Sequence, residues 1–307
     1  MDLSIVIPVL NEQEIIKELI QRVKDSARMI TEDFEIILID DGSQDNTWRE
    51  IEQEFKNNSQ IVAMKFTRNF GQHHAITAGL EKSQGDWVVV MDGDLQDEPE
   101  NLPKLFNQAQ LGFDVVFASR HDRTDSKIYL IGQRIFYFFL NLLSGLKFNH
   151  RNANFSIISK KVVKAFLNFP EKTRFYNSTL LWLGFESSNV EVVHGKRFKG
   201  TPSYTWKKRF KLAKDIVVAF SERPLKLAVY LGLLISLFSL VFFIGIFIRA
   251  IYWGYEVLGW ASLITLQLFS TGIILIVIGI IGIYLSQVFL EVKNRPLYVV
   301  ESEIYKS

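Results

Sequence analysis

The sequence predicts an α/β domain built on a mostly parallel sheet, joined to amphipathic helices at a membrane surface and to two membrane-spanning helices at its carboxyl end. Three observations carry this prediction. Short β-rich apolar runs alternate with amphipathic segments of helical length through residues 1–202. Two long stretches further on contain no charged residue, and basic residues flank that pair on its outer sides. Composition sets the bounds: 307 residues are 48% hydrophobic and 22% charged, with no cysteine and a formal net charge of +2. A disulfide scaffold, cysteine-held zinc and a disordered chain are therefore excluded, and the near-neutral charge argues against a nucleic-acid partner.

The expected strands are Leu3–Val9, Phe34–Ile39, Ile61–Phe66, Trp87–Met91 and Val115–Ser119. Their near-continuous apolar character fits strands covered by helices on both faces. Helix starts are marked by Asn11 ahead of Glu14, by Ser43 and Asp45 ahead of Thr47, and by the Asp97-Glu98-Pro99 turn. In open sheets of this kind ligands bind beyond the carboxyl ends of the strands, and the polar residues collect there.

The first strand runs into Ile7-Pro8-Val9-Leu10-Asn11-Glu12 rather than Gly-x-Gly-x-x-Gly, which removes the main support for a dinucleotide site. The second strand ends in Asp40-Asp41-Gly42-Ser43-Gln44-Asp45, the fourth in Met91-Asp92-Gly93-Asp94-Leu95-Gln96-Asp97. Asp92 and Asp94, two apart on an extended chain, point the same way, and with Gln96 they offer oxygen ligands suited to Mg²⁺ or Mn²⁺. Solvated carboxylates capping helices are the alternative, and two such clusters after buried strands favour a site. His73 and His74 are adjacent, face different directions on a helix, and are expected in ordinary helix positions. No nucleophile elbow or Ser-His-Asp pattern supports covalent catalysis.

Leu227 to Ile248 is a run of 22 residues without charge, and Ala261 to Leu290 is a second uncharged run whose spanning part is expected near Ile264 to Tyr284. Each can cross a hydrocarbon core that needs about 20 apolar residues. Lys207, Lys208, Arg209, Lys211, Lys214, Arg223 and Lys226 precede the pair, and Lys293, Arg295 and Lys306 follow it. The positive-inside bias then places both termini, and the whole amino-terminal domain, in the cytoplasm, at the inner (plasma) membrane. Residues 128–148 and 203–226 mix aromatic and basic side chains too closely to span, and are expected as amphipathic helices at the lipid interface. Residues 227–290 form the two-helix membrane domain and residues 291–307 a cytoplasmic tail. Gly232, Gly245, Gly279 and Gly282 offer a surface through which a homo-oligomer could pack.

Pro8-Val9-Leu10-Asn11-Glu12, Asp40-Asp41-Gly42-Ser43-x-Asp45, Arg68-Asn69-x-Gly71, Gly85-Asp86 and Met91-Asp92-Gly93-Asp94-Leu95-Gln96-Asp97-x-Pro99 occur in this order. Together they resemble the family 2 glycosyltransferases of the GT-A fold. Within that family the chain is similar to polyisoprenyl-phosphate glycosyltransferases such as dolichol-phosphate mannose synthase and the GtrB-type bactoprenol glucosyltransferases, which share two carboxyl-terminal spans. The resemblance implies a UDP-sugar donor held by Pro8, Asn11, Glu12, Asp40 and Asp41, and a divalent ion on Asp92, Asp94 and Gln96 that stabilises the departing diphosphate. It implies phosphate-facing roles for Arg120 and for the stretch carrying Arg197, Lys199 and Ser203, with polyisoprenyl phosphate as acceptor. The family's Gly-Asp-Phe reads Ala153-Asn154-Phe155 here, so an asparagine that cannot act as a base stands in the acceptor-side position. Either the chain is impaired, or an acceptor phosphate already ionised near neutral pH needs positioning rather than deprotonation. A processive polysaccharide synthase is disfavoured by the absence of Gln-x-x-Arg-Trp, and a non-catalytic nucleotide-sugar-binding anchor is the remaining alternative.

Overall fold

A computed structural model of the chain describes residues 1–120, 127–146, 152–172, 174–192, 206–253 and 259–305. The described residues form two compact units, one of Met1–Asn141, Leu146–Lys207 and Arg295–Ser307, the other of Leu142–Gly145 and Lys208–Asn294.

The first unit runs β1 (Leu3–Val9), α1 (Ile16–Arg28), β2 (Phe34–Asp40), α2 (Thr47–Asn57), β3 (Ile61–Phe66), α3 (Gln72–Lys82) and β4 (Trp87–Val90). A short 3₁₀ turn at Pro99–Asn101 leads into α4 (Leu102–Ala109), β5 (Val115–Arg120), α5 (Lys127–Ser144), β6 (Asn152–Ser159), α6 (Lys160–Leu167), α7 (Tyr176–Leu183) and β7 (Ser187–Val192). After α8 (Trp206–Phe220), α9 (Arg223–Trp253) and α10 (Trp260–Val292), the chain returns to the first unit as β8 (Val300–Ile304). The sheet order is β7-β5-β6-β4-β1-β2-β3-β8. Its centre, β4-β1-β2-β3, is parallel, while β6 lies antiparallel between β4 and β5, and β8 antiparallel on β3.

Every residue of β1 and β2 is buried, as expected for strands sandwiched between helices. Ile16, Leu19, Ile20 and Val23 of α1 pack on one face of the sheet with Leu102 and Leu105, and Ile76 and Leu80 of α3 pack on the other with Val162, Phe166 and Tyr176.

Several sequence expectations are corrected. The first helix begins at Ile16, because Asn11 takes a left-handed φ of +56° and does not cap it. In the interfacial segment 128–148 the helix ends at Ser144, with Gly145 and Leu146 outside it, and residues 147 and 148 lie outside the described residues. Residues 203–226 do not form one helix: α8 ends at Phe220 and α9 starts at Arg223, whose amide is bonded to Ser221 Oγ at 3.1 Å. Within residues 291–307, expected as a cytoplasmic tail, the structure has an edge strand of the sheet. Val300–Ile304 adds a strand to β3, Lys65 pairs with Glu301 at 3.0 Å, and Tyr298 stacks on Phe66 with ring centroids 4.7 Å apart.

In the second unit, α9 and α10 are 31 and 33 residues long, so each extends about 45–50 Å. Leu234, Phe238 and Val241 of α9, and Phe269, Ile276 and Leu285 of α10, are each more than half exposed. A buried hairpin in a soluble protein would cover such side chains, so this apolar surface requires an apolar surrounding. The windows Arg223–Phe242 and Phe269–Val292 have mean hydropathies of 2.2 and 2.7. Among the described residues, a Cβ at Gly232, Gly245, Gly279 or Gly282 would meet nothing within 4 Å.

Candidate active site

Sheet register assembles the site. In the parallel centre Pro8 lies beside Ile39 and Val9 beside Asp40, so the loops after β1 and β2 leave the sheet side by side. They are laced together: the Asn11 amide donates to Ser43 Oγ at 2.9 Å, the Gln44 amide to Asn11 Oδ1 at 2.9 Å, and the Glu12 amide to Thr47 Oγ1 at 2.8 Å. Bonding to a loop 33 residues away holds Asn11 in its left-handed conformation.

Asp40 and Asp41 point into this structure rather than into solvent. Asp40 is fully buried; its Oδ1 accepts the Ser43 amide at 2.8 Å, and its Oδ2 has no hydrogen-bond partner among the described residues. Asp41 accepts the Phe70 amide at 2.7 Å and the Gly71 amide at 2.9 Å. Burial pushes both carboxyls above their usual range, against the lowering effect of those amides. The turn between the loops depends on Gly42, where φ is +75° and a Cβ would sit 2.3 Å from the Arg68 carbonyl carbon.

Asp92, Gly93, Asp94 and Gln96 follow β4. Gly93 lets this turn close on β1, since a Cβ there would lie 2.8 Å from Val9 Cγ1. Asp94 Oδ1 accepts the Gln96 amide at 3.1 Å, and Leu95 takes φ of +57° with its side chain buried. The antiparallel register pairs Val90 with Ser156, and two further residues along it Asn154 faces Asp92. Asn154 Nδ2 lies 3.4 Å from Asp92 Oδ1, and the same oxygen accepts Gln72 Nε2 at 2.6 Å. Asn177 Nδ2 in turn donates to Asn154 Oδ1 at 3.1 Å.

Pro8, Asn11, Glu12, Asp40, Asp41, Asp92, Asp94, Gln96 and Asn154 thus share the carboxyl edge of the parallel strands, while the Arg120 backbone ends β5 beside Val192 of β7. Arg197, Lys199 and Ser203 lie outside the described residues. Gln72, Tyr176 and Asn177 were missed by sequence reasoning, because no motif ties α7 to α3; His73 lies in α3, in the ordinary helix position expected of it. His73 Nδ1 accepts the Tyr176 amide at 3.3 Å, its ring meets Phe175 edge-on, and burial lowers its pKa to about 4. It is therefore a neutral packing residue at neutral pH, and His74 Nδ1 bonds the Phe70 carbonyl, just ahead of α3.

The acidic turn offers hard oxygen donors. Among the described residues no three His, Asp or Glu side chains converge, so a cation on Asp92 and Asp94 would complete its shell with water and ligand oxygens, the arrangement Mg²⁺-type ions accept.

An open α/β sheet with an antiparallel strand inserted beside its acidic turn has the architecture of a GT-A glycosyltransferase. The fold resembles that of a mannosyltransferase from Pyrobaculum calidifontis in complex with GDP-Man and Mn²⁺, with a TM-score of 0.51 at 15% identity over 71% of this chain and 63% of that one. Residues 4–167 match the glycosyl transferase family 2, and the chain belongs to that family: it is a glycosyltransferase. It is 35% identical over 97% of its length, and 94% of the relative's, to an uncharacterized glycosyltransferase of Synechocystis sp.. It is 34% identical to the bactoprenol glucosyl transferase of Shigella phage SfV over the full length of both chains. It is also 33% identical to the prophage bactoprenol glucosyl transferase homolog of Escherichia coli K12, over 98% of this chain and 99% of the relative.

Proposed function

We propose that the protein transfers glucose from UDP-glucose to a polyisoprenyl phosphate of the undecaprenyl type, with inversion, at the cytoplasmic face of the membrane. The observation that carries this reading is the end-to-end similarity to a bactoprenol glucosyl transferase, membrane hairpin included. Asp40 supports the nucleotide assignment: its buried oxygen, unpartnered among the described residues, costs about 1–3 kcal/mol, a cost that an N–H of the uracil ring would relieve once the loops admit it. Pro8, Asn11, Glu12 and Asp41 shape the rest of that pocket. A divalent cation on Asp92 and Asp94, beside Gln96, supplies charge stabilisation to the departing diphosphate.

In the reaction a phosphate oxygen of the lipid attacks the anomeric carbon, the bond to UDP breaks, and UDP departs with the bonding electrons. The attacking oxygen is already anionic near neutral pH, with a second phosphate pKa of about 6, so residue 154 need not accept a proton. Arg120, Arg197, Lys199 and Ser203 are assigned to phosphate contacts. The hairpin's topology supports a single compartment for both termini. Because β8 pairs with β3, the segments before α9 and after α10 lie on the same side of the membrane, and the basic residues at both ends select the cytoplasm.

The test is transfer of radiolabelled glucose from UDP-glucose to undecaprenyl phosphate by the full-length protein in detergent with Mg²⁺ or Mn²⁺. A lipid-soluble glucosyl phosphate product is expected. Binding of UDP-glucose without any transfer would instead favour the non-catalytic anchor, and long polymer the processive synthase.

A further inference from the structure

The amino end of α3 touches both halves of the site through consecutive residues. The Gly71 amide donates to Asp41, the Gln72 side chain donates to Asp92, and His73 accepts the backbone amide of Tyr176 on α7. The residue after Tyr176 is Asn177, whose amide donates to Asn154. Ser156 ties the same pieces from β6, bonding the Asn154 carbonyl at 3.0 Å and the Tyr176 hydroxyl at 2.9 Å. Of the partners of Asp92, Asn154 is itself held by α7, through Asn177, and Gln72 follows a residue anchored on Asp41.

The direction of these bonds matters. An asparagine side chain can turn either its oxygen or its nitrogen to a neighbour. Here Asn177 donates to Asn154 Oδ1, so Nδ2 of Asn154 faces Asp92 Oδ1, where Gln72 Nε2 also converges. Two amide donors on Oδ1 restrict the rotation of the Asp92 carboxylate. Partners behind a metal ligand typically set ligand orientation and change metal affinity about 10- to 100-fold.

We infer that Gln72, Asn154 and Asn177 form an amide clasp that orients Asp92 for the cation, and that residue 154 is a positioning residue acting through Asp92, not a proton acceptor. This rests on the reading of Asp92 as a cation ligand given above. A carboxylate at position 154 could still accept from Asn177, but it has no N–H to give Asp92 and sets a like charge against it. Asn154→Asp is accordingly not a repair of this enzyme.

The experiment measures Mn²⁺ binding to the full-length protein in detergent with UDP present, reading free Mn²⁺ by electron paramagnetic resonance, and transfer kinetics on the same samples. Gln72→Met keeps the side-chain length and removes the donor; it should weaken Mn²⁺ binding about tenfold. Asn154→Asp should weaken it as well. Asn177→Ala should weaken it less, about threefold, since it acts one bond further away. In each, excess Mn²⁺ should restore most of kcat, and melting temperatures near that of the wild type exclude simple misfolding. The inference is overturned if folded Gln72→Met and Asn154→Asp proteins bind Mn²⁺ as the wild type does, or if Asn154→Asp raises kcat without changing Mn²⁺ affinity, the signature of a base. If the wild-type protein itself binds no Mn²⁺ with UDP, the cation reading fails and takes the inference with it.

Discussion

The two halves of the candidate site are built by different means. Around β1, β2 and β3, carboxylates and short polar side chains bind backbone amides of neighbouring loops, as Asp41 does with Phe70 and Gly71 and Asn11 does with Gln44. Around β4, β6 and α7, side chains hold one another, in the chain Asn177 to Asn154 to Asp92 with Gln72 alongside. A backbone partner exists whatever the neighbouring side chain is, so the bonds that Asp41 and Asn11 make through their side chains do not depend on the side chains of Phe70 and Gln44. The second half depends on the chemical identity of every member. The first half suits a nucleotide pocket of fixed shape, the second a reacting centre tuned by side-chain chemistry.

This contrast can be broken most forcefully at Asp94. Asp94→Ala should lower glucosyl transfer about a thousandfold, while the loss of its bond to the Gln96 amide costs only about 1 kcal/mol of stability. Transfer assays and melting curves on one preparation check both, and a loss of transfer below tenfold would remove the acidic turn from the chemistry.

In the first half the order reverses, and stability should suffer directly. Asp41→Ala strands two backbone N–H groups, which should destabilise the first unit by about 3 kcal/mol, and Asp41→Asn, which keeps one acceptor oxygen, by about half of that. Thermal unfolding of the purified proteins reads this, and an alanine variant that melts with the wild type would show that the loops do not depend on Asp41.

The smallest effect tests the junction between the halves. The folded pKa of His73, about 4, lies below the ordinary histidine value of 6.5, so the unfolded chain binds the extra proton between those values and the folded one does not. His73 therefore costs no stability above pH 6.5, and stability falls as pH drops from 6.5 toward 4, by at most about 3 kcal/mol. Melting temperatures of wild type and His73→Gln across pH 7 to 4.5 should diverge on the acid side, with the variant lacking this component of the decline.

Much of the first half was legible in the sequence. The strands Leu3–Val9 and Ile61–Phe66 have the expected limits, because a run buried on both faces is apolar throughout and ends where polar residues begin. Asp40, Asp41, Asp92 and Asp94 stood out because charged residues immediately after buried strands are costly without a purpose. The start of α1 was misplaced because a bond from Gln44 to Asn11 overrides that residue's capping preference. β7 and β8 were missed because the exposed, polar stretches Ser187–Val192 and Val300–Ile304 read as strands only when a sheet edge accepts them.

The amino-acid sequence alone determined the alternation of buried strands and helices, the acidic turns and the two apolar spans, since each is written in residues close together along the chain and follows from burial and local geometry. Only the tertiary structure decided that β6 runs antiparallel beside β4, that Asn154 therefore faces Asp92, and that Gln72 and Asn177 close on them. Those contacts join positions separated by 20 to 62 residues. They exist because sheet register and helix packing bring them together, and no local preference of the chain encodes that distance.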